Sequence, residues 1–130
     1  MKRRLLLVLS TSLGLSACSR DRDLPERYRL LEVPSARLGS AEARASGRKL
    51  FLASCALCHG ENADGRGVRR EGLSTPPRDF TSPSWRAGTT PRRVFFAIRE
   101  GVHGTPMPGW KSFSVAEIWD LVAFLLSEKH

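Results

Sequence analysis

The pentapeptide Cys55-Ala56-Leu57-Cys58-His59 constrains this chain more than any other feature. Its spacing is C-x-x-C-H, the attachment pattern of a c-type haem. Two thiols three residues apart can each add to a different vinyl group of one porphyrin, and the imidazole next to them can reach the iron as its proximal ligand. We therefore predict one haem c, bound covalently through Cys55 and Cys58, with His59 on the iron.

Two other uses of these cysteines fit the sequence less well. A Cys₂His₂ zinc site needs a second pair of ligands spaced H-x₃₋₅-H. The histidines of this chain do not have that spacing; they are His59, His103 and His130. A thioredoxin-like C-x-x-C follows a strand within a βαβ pattern, and the sequence around Cys55 shows no such pattern.

The first 17 residues have the features of a secretory signal peptide. Lys2, Arg3 and Arg4 form a positive region, residues 5–15 form an apolar run, and small residues come after it. The apolar run is too short for a stable membrane-spanning helix. We predict a signal peptide over residues 1–17 and a mature chain outside the cytoplasm, on the periplasmic side.

The end of this signal, Leu15-Ser16-Ala17-Cys18, resembles a bacterial lipobox, in which the cysteine becomes the lipidated first residue of the mature protein. The chain has three cysteines, and the haem pattern uses two of them. Cys18 would otherwise be an odd thiol in an exported protein. We predict lipidation at Cys18 and anchoring to a membrane by lipid, which more than one acyl chain would make stable. The alternative is cleavage nearby that leaves the thiol free.

The net charge of the chain indicates which kinds of partner it would bind. The net charge is +8, and removal of the three basic residues of the signal leaves 18 basic against 13 acidic residues. A mildly basic surface favours redox partner proteins with acidic docking surfaces, and anionic lipid. The arginines are scattered along the chain rather than clustered, so no nucleic-acid partner is expected.

Residues 18–39 read as a tether that precedes a domain over 40–130. The tether begins with a run of mixed charges without hydrophobic periodicity, and Pro25 and Pro34 interrupt the remainder of it. At full extension 22 residues would span roughly 70 Å. We expect this stretch to let a small domain stand clear of a membrane.

Local signals predict three helices in the domain. Ser40 is a plausible N-cap for a helix over 41–54. Thr90-Pro91 supplies the cap and first residue of a helix that runs to about residue 100, where Gly101 ends it. A capping box, Ser114-Val115-Ala116-Glu117, begins a last helix that runs to about residue 127. The apolar residues of this last helix follow helical spacing; they are Val115, Ile118, Trp119, Val122, Leu125 and Leu126.

The rest of the domain reads as loop. Residues 60–72 carry several turn formers, and 75–80 continue without regular structure. Long irregular runs are unusual in a compact domain, unless a cofactor supplies the missing apolar interior. No stretch predicts a strand convincingly, so the fold class is all-α and loop-rich.

Met107 is the candidate second axial ligand. It is the only methionine left once the signal is removed, and Pro106 and Pro108 flank it. Both prolines stiffen the loop that carries the thioether. Met/His ligation raises the reduction potential and leaves no position for O₂, so the site would pass single electrons. Two alternatives stay open: Met107 as a gap-filling core residue, and His103 as the second ligand.

Taken together, residues 40–128 resemble a class I cytochrome c. The resemblance is carried by the C-x-x-C-H pattern, the loop Pro106-Met107-Pro108-Gly109-Trp110, and two helices that would cross. Gly47 and Phe51 stand on the first of these helices, and Trp119 and Val122 on the second. The resemblance implies a small fold of three to five helices around one covalently bound haem.

The resemblance also implies further contacts to the haem site. In this family a proline carbonyl after the haem motif accepts the N–H of the proximal histidine, and Pro76 and Pro77 are the candidates. Haem propionates in such folds meet arginine, tryptophan and backbone donors. Side chains of this kind are present here as Arg78, Trp85 and Trp110.

The sequence thus predicts a monohaem electron carrier, not an enzyme, that works between redox partners outside the cytoplasmic membrane. One alternative is a fixed haem subunit of a larger respiratory or dehydrogenase complex. Another is an enzyme or gas sensor with an open iron position, which requires that Met107 does not bind the iron.

Overall fold

The computed structural model describes residues 20–127. The predicted signal peptide, Cys18 and His130 lie outside the described residues. Within that range the chain forms seven helices and no strand, so the all-α fold class is confirmed. In chain order the helices are α1 (Glu26–Arg29), α2 (Ser35–Gly39), α3 (Ala41–Ser54), α4 (Ala56–His59), α5 (Pro83–Gly88), α6 (Pro91–Glu100) and α7 (Val115–Leu126).

The number of helices exceeds the three to five predicted because four of the seven are only four to six residues long. The three long helices are those predicted from their caps. Ser40 and Thr90 each accept a hydrogen bond from the backbone N–H three residues on, and Ser114 forms the complete capping box with Glu117. None of the helices described over residues 20–127 is long and apolar enough to cross a membrane.

The core lies where α3 crosses α7. Gly47 on α3 is buried against the α7 backbone, so closely that an added Cβ would lie 1.9 Å from the carbonyl oxygen of Asp120. One turn further along α3, the ring of Phe51 packs on Phe124, with 5.2 Å between the ring centroids. Gly47 therefore has a packing role, because the absence of a side chain lets the two helix backbones approach this closely.

Helix α7 is buried around nearly its whole circumference, from Ile118 to Leu125. It packs on α3 at one side and on α6 at another, where the rings of Phe95 and Trp119 lie 4.7 Å apart. Val115 belongs to the apolar residues at helical spacing in the sequence, but it is 50% exposed. It is the first residue of the helix and lies before the turns that contact α3 and α6.

The prediction of an extended tether is wrong for residues 20–39. This stretch, which we call the N-terminal segment, contains α1 and α2 and packs on the domain, with Leu24 and Tyr28 buried. Arg37 donates to both carboxylate oxygens of Asp120 on α7, at 2.7 and 3.0 Å. The charges that suggested a solvated linker are instead partners for charges on the domain.

Replacement of Gly47 by alanine tests the helix crossing. The added methyl group would overlap the Asp120 carbonyl, and such overpacking costs about 2–3 kcal/mol. We expect Gly47→Ala to lower the free energy of unfolding by that amount in guanidinium titrations of the mature protein. Gly88→Ala is the matched control, because nothing lies within 4 Å of a Cβ there. Equal stability of the two variants would contradict the crossing.

Candidate haem site

A single cavity of about 610 Å³ brings together the residues that the sequence singled out. Cys55, Cys58, His59 and Met107 all contribute to its wall. The remaining wall is largely apolar and comes from α6, the loop before α5 and the methionine-bearing loop. Its volume is in the range of small-molecule and cofactor sites, about 300–1,000 Å³.

One helical turn presents the two thiols and the imidazole to this cavity. Helix α3 ends at Ser54, and the backbone N–H groups of Cys58 and His59 both donate to the carbonyl of Cys55, at 3.1 and 2.9 Å. Both cysteines are free thiols and half-buried. Burial, with a smaller contribution from the neighbouring Cys58, raises the pKa of the Cys55 thiol to about 12, so this thiol is protonated at neutral pH.

His59 is buried and has a defined orientation. Its Nδ1 lies 3.1 Å from the backbone carbonyl of Arg78. A carbonyl can only accept, so Nδ1 carries the hydrogen and Nε2 keeps its lone pair for a metal. Burial lowers the pKa of His59, and the hydrogen bond to Arg78 opposes this shift in part. The ring also stacks on Phe80, with 4.8 Å between the centroids.

The acceptor of this hydrogen bond differs from the expected one, which was the carbonyl of Pro76 or Pro77. The reason lies in the path of the loop after α4. Gly65 has φ +76°, and an added Cβ there would lie 2.8 Å from the carbonyl oxygen of Pro77. The Pro77 carbonyl is therefore turned towards Gly65, and the carbonyl of Arg78 faces His59 instead.

The loop after α4 folds back onto that helix through its backbone. Three loop N–H groups donate to the carbonyls of Leu57, Cys58 and His59, at distances of 2.7–3.1 Å. Gly67 makes the close approach possible, because an added Cβ would lie 2.3 Å from the carbonyl oxygen of Leu57. The carbonyl groups at the end of a short helix are thereby paired, and α4 keeps its position at the cavity.

Met107 is half-buried in a closed loop over residues 101–110, which we call the methionine loop. Gly101 has φ +79° at the end of α6, and an added Cβ there would lie 2.7 Å from the carbonyl oxygen of Met107. That carbonyl accepts from the N–H of Val102 at 3.1 Å, and the N–H of Trp110 donates to Ile98 at 2.8 Å. These contacts hold the beginning and the end of the methionine loop together.

Trp110 supplies a test of whether a haem fits this cavity. Its Nε1 is the one buried side-chain nitrogen or oxygen in residues 20–127 that has no hydrogen-bond partner. Leaving such a donor unpaired costs about 1–3 kcal/mol. Trp110 lies in the cavity wall together with Arg78 and Trp85, so a haem propionate is a suitable acceptor for it. The side chains of the cavity wall therefore fit a haem.

The other candidate ligands are placed elsewhere. His103 is exposed and does not contribute to the cavity wall. His130 and Cys18 lie outside the described residues. Across residues 20–127, no three His, Cys, Asp or Glu side chains are grouped so that they could hold a metal ion.

Comparison with known proteins identifies the family. Residues 42–125 match the family described as cytochrome c oxidase, cbb3-type, subunit III. The chain belongs to this family of c-type cytochromes. A comparison with curated protein sequences found no match.

Two solved structures resemble the fold. One is a chain of the Kuenenia stuttgartiensis reducing HAO-like protein complex Kustc0457/Kustc0458, with a TM-score of 0.62, 26% identity and 72% of this chain covered. The present chain spans about half, 49%, of the length of that chain. The other is the KustC0563 c-type cytochrome, with a TM-score of 0.52 and 32% identity. The match covers 65% of the present chain and 98% of that cytochrome.

The chain is thus a class I c-type cytochrome, and this confirms the family resemblance found in the sequence. Membership implies covalently bound haem c and a role in electron transfer. The unpaired indole nitrogen of Trp110 then marks where a polar edge of the haem would be received.

The Trp110→Phe variant tests this placement. Loss of the indole N–H should remove a hydrogen bond to a propionate, so we expect the mature protein to lose about 1–2 kcal/mol of stability. Trp85→Phe is the comparison, because Trp85 lies in the same wall but its indole nitrogen is not among the buried unpaired atoms. Thermal unfolding followed at the haem absorption band measures both. A Trp110→Phe protein at least as stable as wild type would show that no propionate lies there.

Proposed function

We propose that this cytochrome carries one haem c, attached through Cys55 and Cys58, with His59 and Met107 as the two axial ligands of its iron. The observation that carries the proposal is the shared cavity, to which all four side chains contribute. Three of them come from one helical turn and the fourth from a loop far along the chain. When bound, the haem supplies a one-electron couple.

The protein residues would set the properties of that couple. The N–H bond from His59 to Arg78 fixes the imidazole tautomer and its ring orientation. A thioether such as that of Met107 favours reduced iron and raises the potential relative to a second imidazole. Because both axial positions would then be filled by the protein, O₂ would find no open position, which favours electron transfer over catalysis.

A small surface at the cavity is suited to brief contact with redox partners. Leu57 and Val102 lie in the cavity wall and are 48% and 43% exposed. Arg69 and Arg78 belong to the same wall and are exposed. An apolar centre with basic neighbours favours an acidic partner surface and the small interface typical of electron-transfer encounters.

The proposed site of action is the periplasmic side of a membrane, with the protein anchored by lipid at Cys18. The support is the sequence pattern of residues 1–18, a signal peptide with a lipobox-like end. A second candidate function is that of a fixed subunit in a larger redox complex. It is favoured by the similarity to a chain of the reducing HAO-like complex.

The Met107→Ala variant tests the ligand assignment. We expect the oxidised wild-type protein to show the weak near-infrared absorption of a sulfur–iron bond, and the reduced protein to bind no CO. The variant should lose the band, bind CO and have a lower reduction potential, because its sixth position is open. Val102→Ala is the control, since it alters the same loop without removing a donor atom. A variant that keeps the band and does not bind CO would disprove the assignment.

The Arg69→Glu variant tests the docking surface. At low salt we expect the rate of electron transfer to a small acidic redox protein to fall roughly tenfold, because rim charges act mainly on the association rate. The difference should shrink at high salt, which screens exposed charges. Arg29→Glu on α1, outside the cavity wall, is the matched control. Equal rates for both variants would place docking elsewhere. Oxidation by a neutral small-molecule oxidant serves as the check that the substitutions have not altered the haem itself.

A further inference from the structure

Helix α6 lies between the cavity and the N-terminal segment. Four of its residues contribute to the cavity wall: Arg93, Val94, Ala97 and Ile98. Another set contacts the segment. Tyr28 packs edge-on against Phe96 at 4.9 Å between centroids, and Arg92 Nε donates to the carbonyl of Leu31 at 2.8 Å. At 3.6 residues per turn, residues 92, 95 and 96 share a face that points away from 94 and 97.

The segment holds the beginning of α6 through a buried carboxylate. Asp21 is 6% exposed and accepts a hydrogen bond from the hydroxyl of Thr90, the N-cap of the helix. Arg92 Nη1 lies 3.6 Å and Arg93 Nε 3.9 Å from the carboxylate oxygens of Asp21. Arg93 also pairs with Asp23. The first turn of α6 is therefore tied to the segment by several charged contacts.

The segment holds the end of α6 through Glu100, the last residue of that helix. The hydroxyl of Tyr28 donates to Glu100 Oε1, and Arg27 Nη2 lies 3.2 Å from the same oxygen. The other oxygen, Oε2, lies 3.5 Å from Nζ of Lys111. The hydrogen bond from Tyr28, with smaller contributions from the charges of Lys111 and Arg27, holds the pKa of Glu100 below its usual range, so the group is ionised at neutral pH.

These contacts meet at the base of the methionine loop. The loop begins at Gly101, directly after Glu100, and the chain leaves it at Lys111. One carboxylate thus connects the N-terminal segment with both ends of the loop that carries Met107. A movement of the loop backbone that carried Met107 away from the cavity would strain the close packing of Gly101 against Gly109 and the pairs made by Glu100.

We propose that the N-terminal segment clamps α6 and the methionine loop, and that Tyr28 and Glu100 are positioning residues that keep Met107 on the haem iron. The inference rests on the proposed ligation by Met107. The segment precedes residues 42–125, which match the cytochrome family. The part of the clamp that the N-terminal segment supplies, Tyr28 included, therefore lies outside the residues that match the family, whereas Glu100 lies within them.

The Tyr28→Phe variant of the mature, haem-loaded protein is the direct test. It keeps the ring against Phe96 and removes only the hydroxyl that donates to Glu100. The probe is imidazole added to the oxidised protein, because it can bind the iron only where Met107 has left. Its apparent affinity therefore rises in proportion to the fraction of open loops. We expect a rise of about tenfold, the effect of one hydrogen bond to a charged group.

A matched control separates loop closure from general stability. Arg37→Lys weakens the contact of the same segment with Asp120 on α7 and leaves the contacts with α6 in place. We expect its imidazole affinity to equal that of wild type, even where its unfolding midpoint falls. Glu100→Gln, which removes the charge from the same pair, is a second variant in case Tyr28→Phe does not mature. It should raise imidazole affinity in the same direction.

The possible outcomes are distinct. A rise with Tyr28→Phe or Glu100→Gln, together with no rise with Arg37→Lys, supports the clamp. If Tyr28→Phe and Glu100→Gln both keep the imidazole affinity of the wild type, or if Arg37→Lys raises it equally, the clamp is overturned and Met107 remains a ligand. If the wild-type protein itself lacks the sulfur–iron band, the ligation by Met107 is overturned, and the clamp with it.

Discussion

The crossing of α3 and α7 at Gly47 is the contact on which the rest of the structure depends. Helix α3 runs directly into the turn that carries both thiols and His59, so the angle and depth of its packing decide where those groups lie. Helix α7 in turn supports α6, through Phe95 and Trp119, and α6 forms another part of the cavity wall. A side chain at position 47 would separate the two helices and with them the parts of the haem site.

The parts of the fold that could be predicted from the sequence are those determined by nearby residues. The caps Ser40, Thr90 and Ser114 act on backbone groups three residues away, so they mark where helices begin. A similar signal, a serine directly before a proline, precedes the missed helix α5, where Ser82 is the cap. The four candidate haem residues also lie in local patterns, and the structure brings all of them to one cavity.

The parts that could not be predicted depend on contacts between distant residues. Tyr28 and Glu100 are 72 residues apart, and a run of mixed charge gives no sign of which partner each charge will meet. The acceptor of the His59 N–H likewise depends on how Gly65 turns the loop, which no local pattern specifies. These distant contacts hold the end of α6 and the imidazole of His59 in place. They turn a stretch that reads as a linker into part of the support for the methionine loop.

The measurement that tests this account most directly is X-ray absorption at the iron of the oxidised, mature protein. If His59 and Met107 are the axial ligands, the spectrum will show one sulfur atom bonded directly to iron beside the nitrogens of the porphyrin and one imidazole. The sulfur atoms of Cys55 and Cys58, bonded to the porphyrin edge, will not contribute to that set. An iron with only nitrogen or oxygen ligands would contradict the account. It would favour one of the alternative hypotheses, a second histidine ligand or an open iron position.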